Sequence, residues 1–157
     1  MKTDYRKLLI AIIICLMAGF VGSIATSPKI PTWYATLVKP WFAPPNWLFG
    51  PAWTTLYVLM GIALYLVWQK GLKTQNEKYA VYLFGFQLGL NALWSFLFFG
   101  LESPFFGLIG IVAMWFAIVA TIWEFYMVEK RAAYLLVPYL AWVSFASLLN
   151  YAIWALN

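Results

Sequence analysis

The residue types able to do chemistry in this chain lie on three apolar segments at helical spacing: Trp53 and Tyr57; Gln87, Asn91, Trp94 and Phe98; and Trp142, Ala146 and Asn150. At about 100° per residue, steps of three and four positions keep each set on one stripe of a helix. Each stripe mixes large aromatic rings with phenol, carboxamide or small groups. Indole and phenol offer broad faces for stacking and one polar hydrogen each, while a carboxamide both donates and accepts. Brought together, such groups suit a flat, apolar ligand that also makes hydrogen bonds.

Other chemistries are excluded by inventory. The chain has no histidine, so a nucleophile-histidine-acid triad is impossible. Cys15 is the only cysteine, which rules out an intramolecular disulfide and leaves a multi-ligand zinc or haem-iron site without donors. No metal site and no required cofactor are expected. Glu124 is the one acid placed within a long apolar run; a turn away from Glu129, Lys130 and Arg131, it can reach the interface and is given no chemistry. Trp68, Tyr79, Trp123, Tyr126 and Trp154 sit near segment ends, where aromatic residues serve as interface anchors.

The elements that must position the stripes follow from composition. With 65% hydrophobic residues, 10% charged residues and a mean hydropathy of +0.82, the chain cannot cover a water-facing surface, so lipid must surround it. Five apolar runs are each long enough to cross a hydrocarbon layer about 30 Å thick. They predict helices at 8–25, 51–68, 79–100, 104–128 and 132–154, in a single domain spanning 1–157. Continuous runs without period-two alternation favour helices over a closed barrel. Residues 26–50, with Pro28, Pro31, Pro40, Pro44 and Pro45, cannot form one helix and are predicted to lie over the membrane face as a lid. Pro51 is expected in the first turn of the second helix. Pro138 is expected to kink or interrupt the fifth near Tyr134.

Charge sets the expected orientation. Lys2, Arg6, Lys7, Lys70, Lys73, Lys78, Lys130 and Arg131 fall on one side and only Lys29 and Lys39 on the other, which predicts a cytoplasmic N-terminus and an outside C-terminus. These anchors account for the net charge of +5, so the partner on that face is anionic membrane lipid and not nucleic acid. The first segment also reads as a secretory signal, with Ser23-Ile24-Ala25 at the cleavage position. Its length, sufficient to span, favours retention. Gly85 and Gly89 form a G-x-x-x-G on the face of the third helix opposite Asn91, together with Ala92. This is a contact for a homodimer or for a neighbouring helix of the same chain.

Taken in order, several separated blocks resemble the TspO/MBR family, the translocator proteins once called peripheral benzodiazepine receptors. They are W-Y at Trp33 and Tyr34, K-P-W-F-A-P-P at Lys39 to Pro45, P-A-W-T-T-L-Y at Pro51 to Tyr57, Q-L-G-L-N-A-L-W at Gln87 to Trp94, F-F-G at Phe98 to Gly100, and P-Y-L-A-W-V-S-F-A-S-L-L-N at Pro138 to Asn150. The resemblance covers nearly the whole chain. It implies an all-α bundle of five transmembrane helices whose first loop lids a pocket for porphyrins and isoquinoline-type ligands. The pocket residues it implies are Trp33, Trp53, Tyr57, Asn91, Trp94, Phe98, Trp142, Ala146 and Asn150, and Tyr34, Trp47 and Gln87 join them as candidate ligand-binding residues. It further implies Trp53 and Trp142 as the pair in a light-dependent breakdown of protoporphyrin. The animal members' cholesterol motif is incomplete here: Leu148, Leu149 and Tyr151 are followed by no Lys or Arg, so tight cholesterol binding is not expected, and a bacterial membrane fits better than a mitochondrial one.

Three functions are open at this point. The first is a membrane binding protein for porphyrin-like tetrapyrroles, acting as sensor, scavenger or carrier, with Asn91 and Asn150 bonding ring nitrogens or propionates and no axial ligand to a metal. The second is a porphyrin-degrading enzyme driven by light and oxygen. The third is a tetrapyrrole or lipid transporter, against which an odd helix count and the lack of a mid-span acid argue.

Overall fold

The computed structural model describes residues 3–157, and the described residues form helices joined by turns, with no strand. Lys2, counted among the basic anchors, lies outside them. Among the described residues, five segments are long and apolar enough to cross a membrane: Tyr5–Thr26, Asn46–Trp68, Gln75–Gly100, Pro104–Val128 and Lys130–Leu156. The chain is therefore an integral, multi-pass, all-helical membrane protein.

Local chemistry fixes where each helix begins. Helix α1 (Tyr5–Thr26) starts at Asp4, whose carboxylate accepts from the Arg6 and Lys7 amides at 3.1 and 3.2 Å. A four-residue helix, α2 (Trp33–Thr36), interrupts the long first connection. Helix α3 (Asn46–Trp68) begins more than a turn before Pro51, so the proline is inside the helix and not in its first turn. Its missing N–H would have met the Trp47 carbonyl, close enough to the helix start for the ladder to resume beyond it. The Thr54 and Thr55 hydroxyls bond back to the Gly50 and Pro51 carbonyls at 2.8 and 2.9 Å.

Helix α4 (Gln75–Ser95) also starts earlier than the apolar run, because Thr74 and Glu77 form a reciprocal capping box. Its last turn widens into a π-helical turn at Phe96–Gly100. Helix α5 (Pro104–Val128) matches its predicted bounds, opened by the Ser103 cap and a proline in the first position. The fifth span is broken as Pro138 requires: α6 (Lys130–Leu135) ends, Leu136 donates to the Ala133 carbonyl at 3.1 Å, and α7 (Val137–Leu156) restarts.

In the bundle, α1 packs on α3 and α4, α4 on α5, α5 on α7, and α6 on α3 and α5. Gly61 allows the α1–α3 approach, since a Cβ there would lie 2.5 Å from the Ile12 Cα. Phe84 of α4 stacks on Phe125 of α5 at 5.6 Å within a core that includes Met60, Ile111, Met114 and Tyr139. At the basic end Glu129 bonds Lys70 at 2.8 Å and Arg131 at 3.0 Å, and Lys7 lies over the Trp68 ring.

At the opposite end, Lys29 pairs with Glu102. The Val38 amide donates to Asn157 Oδ1 at 3.0 Å, and Asn157 Nδ2 returns a bond to the Val38 carbonyl at 2.9 Å. Buried Tyr34 packs on Phe98 and Phe99, with Lys39 over its ring at 4.6 Å. Gly85 and Gly89 are exposed with open space around them, so they do not serve as an internal helix contact. Ala92 departs from that face and lies against Gly22 of α1.

Candidate ligand-binding cavity

Between α1, α3, α4 and α7, beneath the first connection, lies a cavity of about 550 Å³. Trp53 and Tyr57 line it from α3, stacked at 5.7 Å. Asn91 and Trp94 line it from α4 and Phe98 from the π-helical turn that follows, with the two rings stacked at 5.3 Å. Trp142, Ala146 and Asn150 complete the α7 wall. The three stripes therefore converge, and Trp53 meets Trp142 edge to face at 6.4 Å and 86°.

Two expected residues do not line it. Gln87 is one turn too deep: it is buried and accepts a bond from the Tyr139 hydroxyl at 2.9 Å. Trp33 stands behind the wall, packed against Phe98 and Phe99 at 5.4 and 6.2 Å, because the α2 turn points Tyr34 inward in its place. Tyr34 and Trp47 do border the hollow. Burial raises the Tyr34 phenol above its ordinary value, which keeps it a neutral hydrogen-bonding group.

Beneath the cavity a hydrogen-bond chain runs across three helices. Tyr57 donates to Asn91 Oδ1 at 2.6 Å, Asn91 Nδ2 donates to the Tyr139 oxygen at 2.8 Å, and Tyr139 donates to Gln87 Oε1. Higher up, Trp94 Nε1 donates to Asn150 Oδ1 at 3.2 Å, and Asn150 Nδ2 donates to the Pro104 carbonyl at 2.8 Å. Both asparagines thus hold helices together first, which revises the expectation that their amides wait for a ligand. Two buried polar atoms have no partner among the described residues, Gln87 Nε2 and Trp142 Nε1. The second belongs to a cavity-lining ring, where an unmade bond is costly and a ligand acceptor would relieve it.

The whole α1 wall escaped the sequence reading: Leu16, Gly19, Phe20 and Ser23 all line the hollow. At Gly19 an added Cβ would run into the Tyr57 ring, so the glycine lets the two helices close around it. Gly107 does the same for Phe98 and Asn150, where a Cβ would sit 2.5 Å from a Phe98 ring carbon. Phe20, Trp47, Gly50 and Thr54 line the cavity while remaining exposed, so it is open on the side between α1 and the start of α3.

Comparison with known proteins places the chain in a family. The chain is 51% identical over 151 residues to the tryptophan-rich protein TspO of Archaeoglobus fulgidus, covering 96% of this chain and 97% of that one. It is 41% identical to the human translocator protein over 139 residues, 88% of this chain and 82% of that one. It is 34% identical to the tryptophan-rich sensory protein of Cereibacter sphaeroides, over 100% of this chain and 95% of that one. The TspO/MBR family model matches residues 11–155, and the chain belongs to that family.

Proposed function

We propose that this chain is a membrane binding protein for porphyrin-like tetrapyrroles, and for isoquinoline-type ligands of similar shape, working as a sensor, scavenger or carrier. The observation that carries the reading is the aromatic cavity with the unpartnered Trp142 Nε1 in its wall. Its volume falls within the roughly 300–1,000 Å³ of small-molecule pockets, and indole and phenol faces supply stacking area for a planar ring. With no histidine in the chain, affinity rests on stacking and on hydrogen bonds from the rim and from Trp142. Titration of the protein in nanodiscs with protoporphyrin should quench tryptophan fluorescence saturably. An unquenched, non-saturating signal would remove the proposal.

A second reading has its own support in the Trp53–Trp142 pair. Two indoles in edge-to-face contact on the cavity wall would stand beside any bound ring. A bound porphyrin supplies light absorption and dissolved oxygen the oxidant, so the protein's part is to hold an oxidisable indole next to it and exclude other reactants. On this reading Trp53→Phe and Trp142→Phe each slow the light-dependent loss of porphyrin absorbance while binding persists. Equal rates in wild type and variants would assign the loss to free singlet oxygen.

The reading also has a topology and an assembly. The basic end carrying Lys7, Lys70, Lys78, Lys130 and Arg131 faces the cytoplasm, which reporter fusions at each terminus test. The open Gly85/Gly89 face meets a second copy, and the absence of crosslinks between cysteines placed beside it in membranes would refute that.

A further inference from the structure

Of the chain's five acidic residues, four have assigned partners. Asp4 caps α1, Glu77 accepts from the Lys73 and Thr74 amides, Glu102 pairs with Lys29, and Glu129 bonds Lys70 and Arg131. Glu124 alone among the described acids makes no hydrogen bond and no ion pair. It belongs to α5, within a membrane-spanning segment and one turn from its basic end. There it borders a second hollow, of about 410 Å³, whose other walls are Gln75, Asn76, Lys78, Tyr79 and Tyr82 of α4. Lys78 is likewise without a carboxylate partner among the described residues.

One carboxylate and one ammonium therefore face the same hollow without bonding each other. Ionisable groups at membrane depth ordinarily pair or mark a ligand. The two tyrosines are 56% and 74% exposed, so the hollow opens on the outer surface of the bundle and not toward its interior. We infer that this hollow seats the headgroup of a phospholipid bearing a primary amine, with the ammonium on Glu124 and the phosphate on Lys78. The two fixed charges match the two ends of a zwitterion. A primary ammonium donates hydrogen bonds to Glu124 and to the side-chain carbonyls of Gln75 and Asn76, whereas a choline group has no N–H to give. The tyrosine faces attract either cation, so discrimination rests on Glu124.

Native mass spectrometry of the full chain in detergent tests this with equal amounts of dioleoyl phosphatidylethanolamine, phosphatidylcholine and phosphatidylglycerol. The ethanolamine lipid should be retained in preference to both others, and Glu124→Gln should cut its occupancy roughly tenfold, the loss of one charge-assisted bond. Phosphatidylglycerol occupancy should survive that variant and fall in Lys78→Gln, which removes the phosphate contact instead. Equal retention of the three lipids, or an unchanged ethanolamine preference in Glu124→Gln, would overturn the site. Retention of soluble O-phosphoethanolamine in place of the lipid, when the two are offered at equal concentration, would overturn the lipid in favour of a free metabolite. Both substitutions lie away from the main cavity, so an unchanged unfolding midpoint checks that the bundle is intact.

Discussion

Tyr139 is the residue on which the buried polar chain turns, since its single hydroxyl both accepts from Asn91 and donates to Gln87. Removing it strands two amide groups in an apolar interior, and stranded groups cost about 1–3 kcal/mol each, against about 0.6 kcal/mol for an average interhelical bond in a membrane protein. The stranding term should win. Tyr139→Phe is expected to lower the thermal midpoint by more than Tyr57→Phe, whose loss leaves Asn91 Nδ2 still bonded. Adding Gln87→Leu to Tyr139→Phe should recover part of the loss, and strict additivity in that double-mutant cycle would contradict the argument. Tyr139 was legible but not read: it shares the Trp142, Ala146 and Asn150 stripe, one step before Trp142. What spacing could not tell is that the ring is fully buried, a consequence of the break at Leu136 that re-aims the start of α7.

At the level of elements, glycine decides how closely α1 and α5 approach the cavity wall. In an exposed helix position Gly→Ala gains up to about 1 kcal/mol of propensity. Gly85, with open space around it, should show that gain in the detergent-solubilised monomer. Gly19 and Gly107 should show the opposite sign, because the added methyl displaces rings that are held: Tyr57 by its bond to Asn91, Phe98 by stacking on Trp94. Gly19→Ala is predicted to weaken porphyrin binding with helix content retained, by circular dichroism and titration of the same sample. The α1 wall had little to announce it. Its run is uniformly apolar, and the two hydroxyls on it, Ser23 and Thr26, are spent on the Phe20 and Gly22 carbonyls. Hydropathy placed the five spans, but the helix starts at Asn46 and Gln75 lay outside it: they depend on a proline cap and a capping box in polar sequence.

Across the whole molecule, the basic end concentrates positive charge, and among the described residues one acid there, Glu129, is ion-paired with it. Glu129 ties Lys70, just past the end of α3, to Arg131 at the start of α6, and so links two spans remote in sequence. Hydrogen bonds from Arg131 first, and then from Lys70, hold its carboxyl at about 2, below the ordinary 4.5. The sign follows from linkage: the unfolded chain binds the proton more readily. The stabilisation is therefore complete above pH 4.5 and is lost as pH falls toward 2. Screening limits its size, because the Lys70 and Arg131 side chains are 38% and 76% exposed, although Glu129 itself is only 11% exposed. The thermal midpoint of wild type should thus fall more steeply than that of Glu129→Gln between pH 5 and about 3, with the two curves converging at the acid end. Raising the salt concentration should narrow the gap at pH 7. Parallel curves across that range would mean that the corner between α5 and α6 is held by packing alone.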